Sequence, residues 1–307
     1  MADALVRALA RPCERSAFLA RLLRRARFRG RCRIVSALRC VPFPDEMEAV
    51  CGGLRYRLDL RDDVQRSIFF DCYEPRDVTL VDALVRAGGV CLDVGANVGF
   101  YTLHFAKRVG PSGRVFAFEP EPRNAERLRA NCVLNGFDPI VEVTEAAVAD
   151  REGSAILHRS DAAHSGWGSL APHAEEAGAV LVRTTTLDSF LETRGIERVD
   201  LLKVDVEGSE CELLVGAARS LASRRFRHLF IEFNGVRLLE RGKTLEDFLR
   251  PLEASGYAPA SIHADLISKM RRGAIPPHTI WPNLLFTPRG AGEGDGNGRL
   301  ASMSGSA

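Results

Sequence analysis

The chain has 307 residues, of which 46% are hydrophobic and 27% charged. That balance excludes a disordered or fibrous chain and supplies enough apolar residues for a sizeable core. A net charge of +2 excludes binding to polyanions by bulk charge alone.

Charge is uneven along the chain. Residues 1–40 carry eleven arginines against Asp3 and Glu14, which makes +9 and leaves −7 for residues 41–307. Within them FLARLLRRARF places Leu19, Leu22, Leu23 and Ala26 at helical spacing, which predicts a basic helical arm. Such helices lie on membrane surfaces or dock on nucleic acid. The alternative is packing on the main domain through the leucines. No apolar run of 18 residues exists, so no membrane-spanning helix is expected. Arginines interrupt any secretory apolar region. The eight cysteines lack the spacing of a zinc knuckle and read as free thiols of a reducing, cytoplasmic compartment.

Next, LRYRLDL and SIFF alternate weakly, which predicts a hairpin within residues 50–70. Glu74-Pro75 opens a helix, VTLVDALVRAG, closed by Gly88-Gly89. Strand and helix then alternate: VCLDV, FYTLHFAKRV, RVFAFEP and PRNAERLRANCVLNG. IVEVTEAAV reads as one strand, followed by an irregular stretch through residue 180. VLVRTTTLDSFLETRG gives a short strand and a helix. VDLLKVDVEG and SECELLVGAARSLASR form the next strand and helix, then HLFIEFN and TLEDFLRPLEASGY. Extended runs are expected near ASIHADLIS and TIWPNLLFTP. Near-continuous apolar strands alternating with helices predict an α/β fold with a parallel sheet covered on both faces. The domain is expected over residues 41–288, with its core about 74–258. The Gly/Ser-rich residues 289–307 are expected to be a disordered tail.

In such a sheet a ligand sits beyond the C-terminal ends of the strands. The loop 93-DVGANVG-99 lies there. It lacks both the G-x-G-x-x-G of a dinucleotide site and the Lys-Ser/Thr of a P-loop. An acid at its entrance, Asp93, repels a pyrophosphate and suits a cation. S-adenosylmethionine, with a sulfonium and an ammonium and no phosphate, fits. Gly95 and Gly99 permit close backbone approach to a ligand. Glu119, at the end of the next strand, is placed to take two ribose hydroxyls. A bare strand–helix turn and a surface acid are the alternatives.

DVGANVGFYTL, AFEPEPRNAERLRANCVLNG, TTLDSFL and 203-KVDVEGSE-210, in that order, resemble the FkbM-type methyltransferases over roughly 180 residues from about residue 74 to Tyr257. The resemblance implies a class I, Rossmann-like methyltransferase fold, here with a mostly parallel seven-stranded sheet. It implies S-adenosylmethionine as cofactor. It also implies O-methylation of a sugar, glycan or polyketide-type hydroxyl. Candidate cofactor contacts are Asp93, Gly95, Ala96, Asn97, Gly99, Phe100, Tyr101, Thr102, Glu119, Pro120, Ala147 and Asp205. Enzymes that methylate base amino groups often carry an N/D-P-P-Y/F turn where this chain has DVEG. An RNA or protein methyltransferase docked by the arm, or a binding module without activity, are the competing readings; a nucleic-acid partner is not expected.

An alcohol is a poor nucleophile until a base takes its proton. Lys203, Asp205 and Glu207 alternate and so share one side of the fourth strand's end. Asp205 is the candidate base or acceptor-orienting group. Lys203 would hold the acids ionised or stabilise a developing alkoxide. Glu207 would contact the acceptor. A structural Lys203–Asp205 pair, and a Glu207 that caps the next helix, are the alternatives. No further acid or histidine is spaced to complete a metal site with Asp205 and Glu207, so no metal is expected. Glu232, closing FIEFN, and Trp167, flanked by glycines in HSGWGSL, are candidates for acceptor contact; structural pairing and a loop anchor are their alternatives.

Overall fold

The computed structural model describes residues 46–160, 168–170 and 176–290, together with Ala20, Arg21, Arg24 and Cys32. The tail, Trp167 and nearly all of the arm lie outside the described residues. Ala20 is buried among the apolar residues of a hairpin, and the Arg24 guanidinium lies 5.1 Å from the Phe69 ring centroid.

That hairpin pairs β1 (Met47–Cys51) with β2 (Leu54–Leu58), and both alternate buried and exposed residues. Helices α1 (Asp63–Phe69) and α2 (Pro75–Leu84) follow, then β3 (Val90–Val94), α3 (Phe100–Val109), β4 (Arg114–Phe118), α4 (Pro122–Leu134) and β5 (Val141–Thr144). Next come β6 (Ala147–Val148), β7 (Gly153–Ser160), β8 (Glu176–Thr185), α5 (Leu187–Thr193) and β9 (Val199–Val204). The chain continues through α6 (Glu210–Gly216), α7 (Ala218–Ala222), β10 (Phe226–Glu232), α8 (Gly235–Glu240), α9 (Leu245–Ala254), β11 (Tyr257–Pro259), α10 (Ser261–Arg271) and β12 (Asn283–Pro288).

The central sheet has seven strands in the order β11-β12-β10-β9-β3-β4-β5. Its pairs are parallel except for β12, which is antiparallel to β10 and β11. Alternate residues serve opposite faces. Leu92, Val94, Leu202, Val204, Leu229 and Ile231 pack with apolar residues of α5, α6, α7, α9 and α10. Cys91, Leu201 and Phe230 pack with α2 and α3. Apolar side chains on both faces exclude water, which is why these strands read as near-continuous apolar runs.

Several elements depart from the sequence reading. SIFF belongs to α1, because Asp62 caps that helix by accepting from Gln65 N and because Ile68, Phe69 and Phe70 are buried together. A short apolar run suits a buried helix as well as a strand. IVEVTEAAV is two strands in two sheets: β5 ends on β4, and β6 pairs with Thr184–Thr185 in a three-stranded sheet, β6-β8-β7. The stretch expected to be irregular holds β7, paired antiparallel with the long β8. The helix expected over residues 209–224 breaks after Gly216, where a Cβ would lie 2.0 Å from Ala149 O. ASIHADLIS is the helix α10, which buries Ile267 and Met270 at helical spacing, and β11 is confined to the three residues before it.

The free-thiol reading also needs correction, because Cys32 and Cys72 are joined by a disulfide. Cys51, Cys91, Cys132 and Cys211 are free and buried. Burial pushes the Cys51, Cys132 and Cys211 thiols up to about 12, so they are un-ionised and poor nucleophiles.

Candidate active site

The site is built where β3, β4, β9 and β10 end. After Val94 the chain turns through Gly95 at φ 78, and a Cβ there would lie 1.7 Å from Asp205 O. Only glycine lets the loop pass that close beneath the end of β9. Gly95 N and Ala96 N both donate to Phe118 O, which fastens the loop to β4. Gly99, at φ 93, precedes α3 and packs on Leu128.

Glu119 is buried and accepts from Asn97 N at 2.8 Å and from Glu121 N at 2.9 Å. Burial pushes its carboxyl up to about 7 against those two hydrogen bonds. Asn97 sits at φ 49, and its Oδ1 is buried without a partner among the described residues. Asp93 is buried and accepts from Thr102 Oγ1. Burial raises Asp93 to about 6, opposed by Lys203 and Thr102.

Sheet register places Lys203 between Asp93 on β3 and Phe230 on β10. Its side chain is only 1% exposed, donates to Asp205 Oδ2 at 2.9 Å and lies 5.0 Å from the Tyr101 ring centroid. Burial alone would lower the Lys203 ammonium. The combined field of Asp205, Glu74, Asp93 and Glu232 outweighs it and raises the group instead.

One step past the paired Val204 and Ile231, Asp205 comes level with Glu232. Oxygens of Asp205, Glu207 and Glu232 lie within 4.8 Å of one another. The expectation that no further acid is spaced to complete a metal site with Asp205 and Glu207 is therefore corrected. Glu232 is remote in sequence and arrives through the parallel pairing of β9 with β10. Among the described residues, these three carboxylates form a group that could hold a divalent cation, since hard cations prefer oxygen ligands. Glu207, at φ 51, is drawn off the strand direction and accepts from Asn234 Nδ2 at 2.9 Å. It does not cap α6, whose N-cap is Ser209. Burial, then repulsion from Asp205 and Glu210, pushes Glu207 up to about 8. Burial and the Asp205 charge raise Glu232 as well, and its Oε2 has no partner among the described residues.

These residues share a cavity of about 830 Å³. Asp93, Gly95, Ala96, Asn97, Phe100, Tyr101, Glu119, Pro120, Ala147, Lys203, Asp205, Glu207 and Glu232 all line it; Gly99 and Thr102 are not part of the lining, Gly99 capping α3 and Thr102 donating to Asp93. Trp167 falls outside the described residues. Lining residues to which the sequence assigns no role at the site include Glu74, Asn234 and Trp281. Glu74, in left-handed backbone at the start of α2, accepts from the Tyr101 hydroxyl and faces Lys203. Its signal, Glu-Pro, was legible only as a helix start. Asn234 and Trp281 lie in loops with no motif of their own.

S-adenosylmethionine fits this cavity. Glu74, Asp93, Asp205, Glu207 and Glu232 gather around one lysine, so the field favours a ligand bearing positive charge. The unpaired Asn97 Oδ1 and the buried Glu119 offer acceptors for hydroxyls at the loop.

The raised Glu207 gives a pH prediction with a definite sign. Its folded value, about 8, exceeds the ordinary 4.5, so rising pH ionises the unfolded chain first. That contribution to stability is full below about pH 4.5 and lost as pH rises through 8. Glu207→Gln keeps an acceptor for Asn234 and cannot ionise. In thermal melts without ligand it should match the wild type near pH 4.5 and exceed it at pH 8.5 by about 1 kcal/mol or more.

A seven-stranded sheet of this order, with an acid-lined cavity at its strand ends, defines the class I S-adenosylmethionine-dependent methyltransferases. The methyltransferase FkbM domain model matches residues 93–266, and the chain belongs to that family. It is 29% identical over 205 residues to the 2-O-methyltransferase NoeI of Sinorhizobium fredii, covering 61% of this chain and 82% of that one. It is 34% identical over 183 residues to the 31-O-demethyl-FK506 methyltransferase FkbM of Streptomyces tacrolimicus, covering 49% of this chain and 66% of that one. The solved methyltransferase FkbM of Methylobacillus flagellatus aligns with a TM-score of 0.39 and 15% identity, over 73% of this chain and 52% of that one.

Proposed function

We propose that this methyltransferase transfers a methyl group from S-adenosylmethionine to a hydroxyl of a sugar or polyketide-type acceptor. The observation that carries the reading is the carboxylate corner, Asp205, Glu207 and Glu232, beside the buried Lys203. The names of the two relatives, both O-methyltransferases, support it. When bound, the cofactor supplies a methyl on a sulfonium that leaves as a neutral thioether. The acceptor oxygen forms the new C–O bond as the C–S bond breaks, and its proton passes to a carboxylate. Asp205 is the base in this reading. Lys203 fixes one Asp205 oxygen and is the only donor to that carboxylate among the described residues. Glu207 and Glu232 orient the hydroxyl, and the cavity walls exclude water.

The donor end rests on Asp93, the 95–97 backbone and Glu74 for the amino-acid portion, with Glu119 for the ribose and Ala147 beside the adenine. Glu119→Gln should weaken S-adenosylhomocysteine binding about 10-fold to 100-fold by calorimetry, because one charge-assisted bond becomes neutral. An unchanged affinity removes Glu119 from the donor site.

A further inference from the structure

Trp281 is 63% exposed, yet it lines the cavity that holds Lys203, Asp205 and Glu232. It is not on a loose tip. Phe233 N donates to Pro282 O at 2.9 Å and Gly235 N donates to Ile280 O at 3.3 Å, clasping Trp281 from both sides. Gly235 lacks a Cβ that would lie 1.9 Å from Pro277 O, so the segment presses directly on the start of α8. The antiparallel register, with Glu232 opposite Asn283, continues outward to set Trp281 across from Asn234. Asn234 in turn holds Glu207. The indole, the amide and the three carboxylates therefore line the same cavity, with the backbone on either side of Trp281 held in place.

The chemistry of that wall is mixed in a particular way. An aromatic face takes the C–H face of a pyranose ring, while carboxylates and an amide take its hydroxyls. Glu240 and Arg237, 3.2 Å apart, extend the polar lining at the same mouth. An apolar macrolactone would leave these groups desolvated without partners, which costs free energy at each one. We propose that Trp281 is the platform on which a sugar ring of the acceptor stacks, presenting a ring hydroxyl to Asp205, Glu207 and Glu232. The acceptor class is then carbohydrate. This rests on the methyltransferase reading above.

The test uses the full chain loaded with S-adenosylhomocysteine, whose own affinity is measured first by calorimetry. Saturation-transfer NMR then reads binding of methyl glycosides of hexoses, 6-deoxyhexoses and hexuronic acids, with a sugar-free macrolactone as comparison. At least one glycoside should bind, through the protons of one ring face. Trp281→Ala should weaken it at least tenfold and Trp281→Phe by no more than about threefold, with S-adenosylhomocysteine affinity within twofold of wild type in both. The proposal is overturned if Trp281→Ala leaves glycoside affinity within twofold. It is overturned equally if only the macrolactone binds, or if the cofactor-loaded protein binds no glycoside. Failure to bind S-adenosylhomocysteine at all instead removes the methyltransferase reading, and this inference with it.

Discussion

Asp205→Asn should bind S-adenosylmethionine within about threefold of wild type and lose methyl transfer by roughly 10²-fold to 10⁴-fold, the range of general-base catalysis. The amide keeps the shape and one acceptor for Lys203 Nζ, which sits 2.9 Å from the carboxylate. It cannot take the acceptor's proton. Calorimetry reports the first quantity and turnover the second. Transfer at the wild-type rate would reject Asp205 as base and leave Glu207, with its value near 8, as the better-placed group.

The second large effect concerns stability. Lys203→Met should destabilise the protein by about 3–5 kcal/mol at pH 8, the range for removing one member of a buried ion pair. Asp205, Glu74, Asp93 and Glu232 would then face one another with no cation between them. The sign with pH follows. Burial already raises Glu74, Asp93 and Glu232, and without the ammonium these three rise further above their unfolded values, so stability is retained at low pH and lost as pH rises through their folded values. The melting-temperature gap between variant and wild type should be small near pH 5 and widen toward pH 8. A constant gap would mean that Lys203 stabilises by packing alone.

Much of the site was legible because its residues cluster in two short motifs. DVGANVG encodes a turn that only glycine satisfies against Asp205 O, and KVDVEG encodes alternation on the strand beside it. The parallel sheet was legible for a similar reason, since burial on both faces leaves unbroken apolar runs in β3, β4 and β9. Glu232 was visible as a strand end, but its meeting with Asp205 depends on which strands pair. Asn234 and Trp281 were not legible, because their roles arise from loops brought together by β10 and β12, and Glu74 was not, because its meeting with Lys203 depends on where the start of α2 lies against β9. The Cys32–Cys72 disulfide was hidden for the same reason: the two residues are 40 apart in sequence. The antiparallel strands β7 and β8 were partly missed because a small, half-exposed sheet buries little more than Leu157 and Val182.

Transfer of a methyl group to a hydroxyl oxygen can be followed directly. The most direct measurement uses S-adenosylmethionine labelled with ¹³C in its methyl group, offered with glycoside and macrolactone acceptors and followed by NMR. A new labelled methyl attached to oxygen should appear on a glycoside, formed together with S-adenosylhomocysteine and abolished in Asp205→Asn. A labelled methyl on nitrogen or carbon would contradict transfer to oxygen.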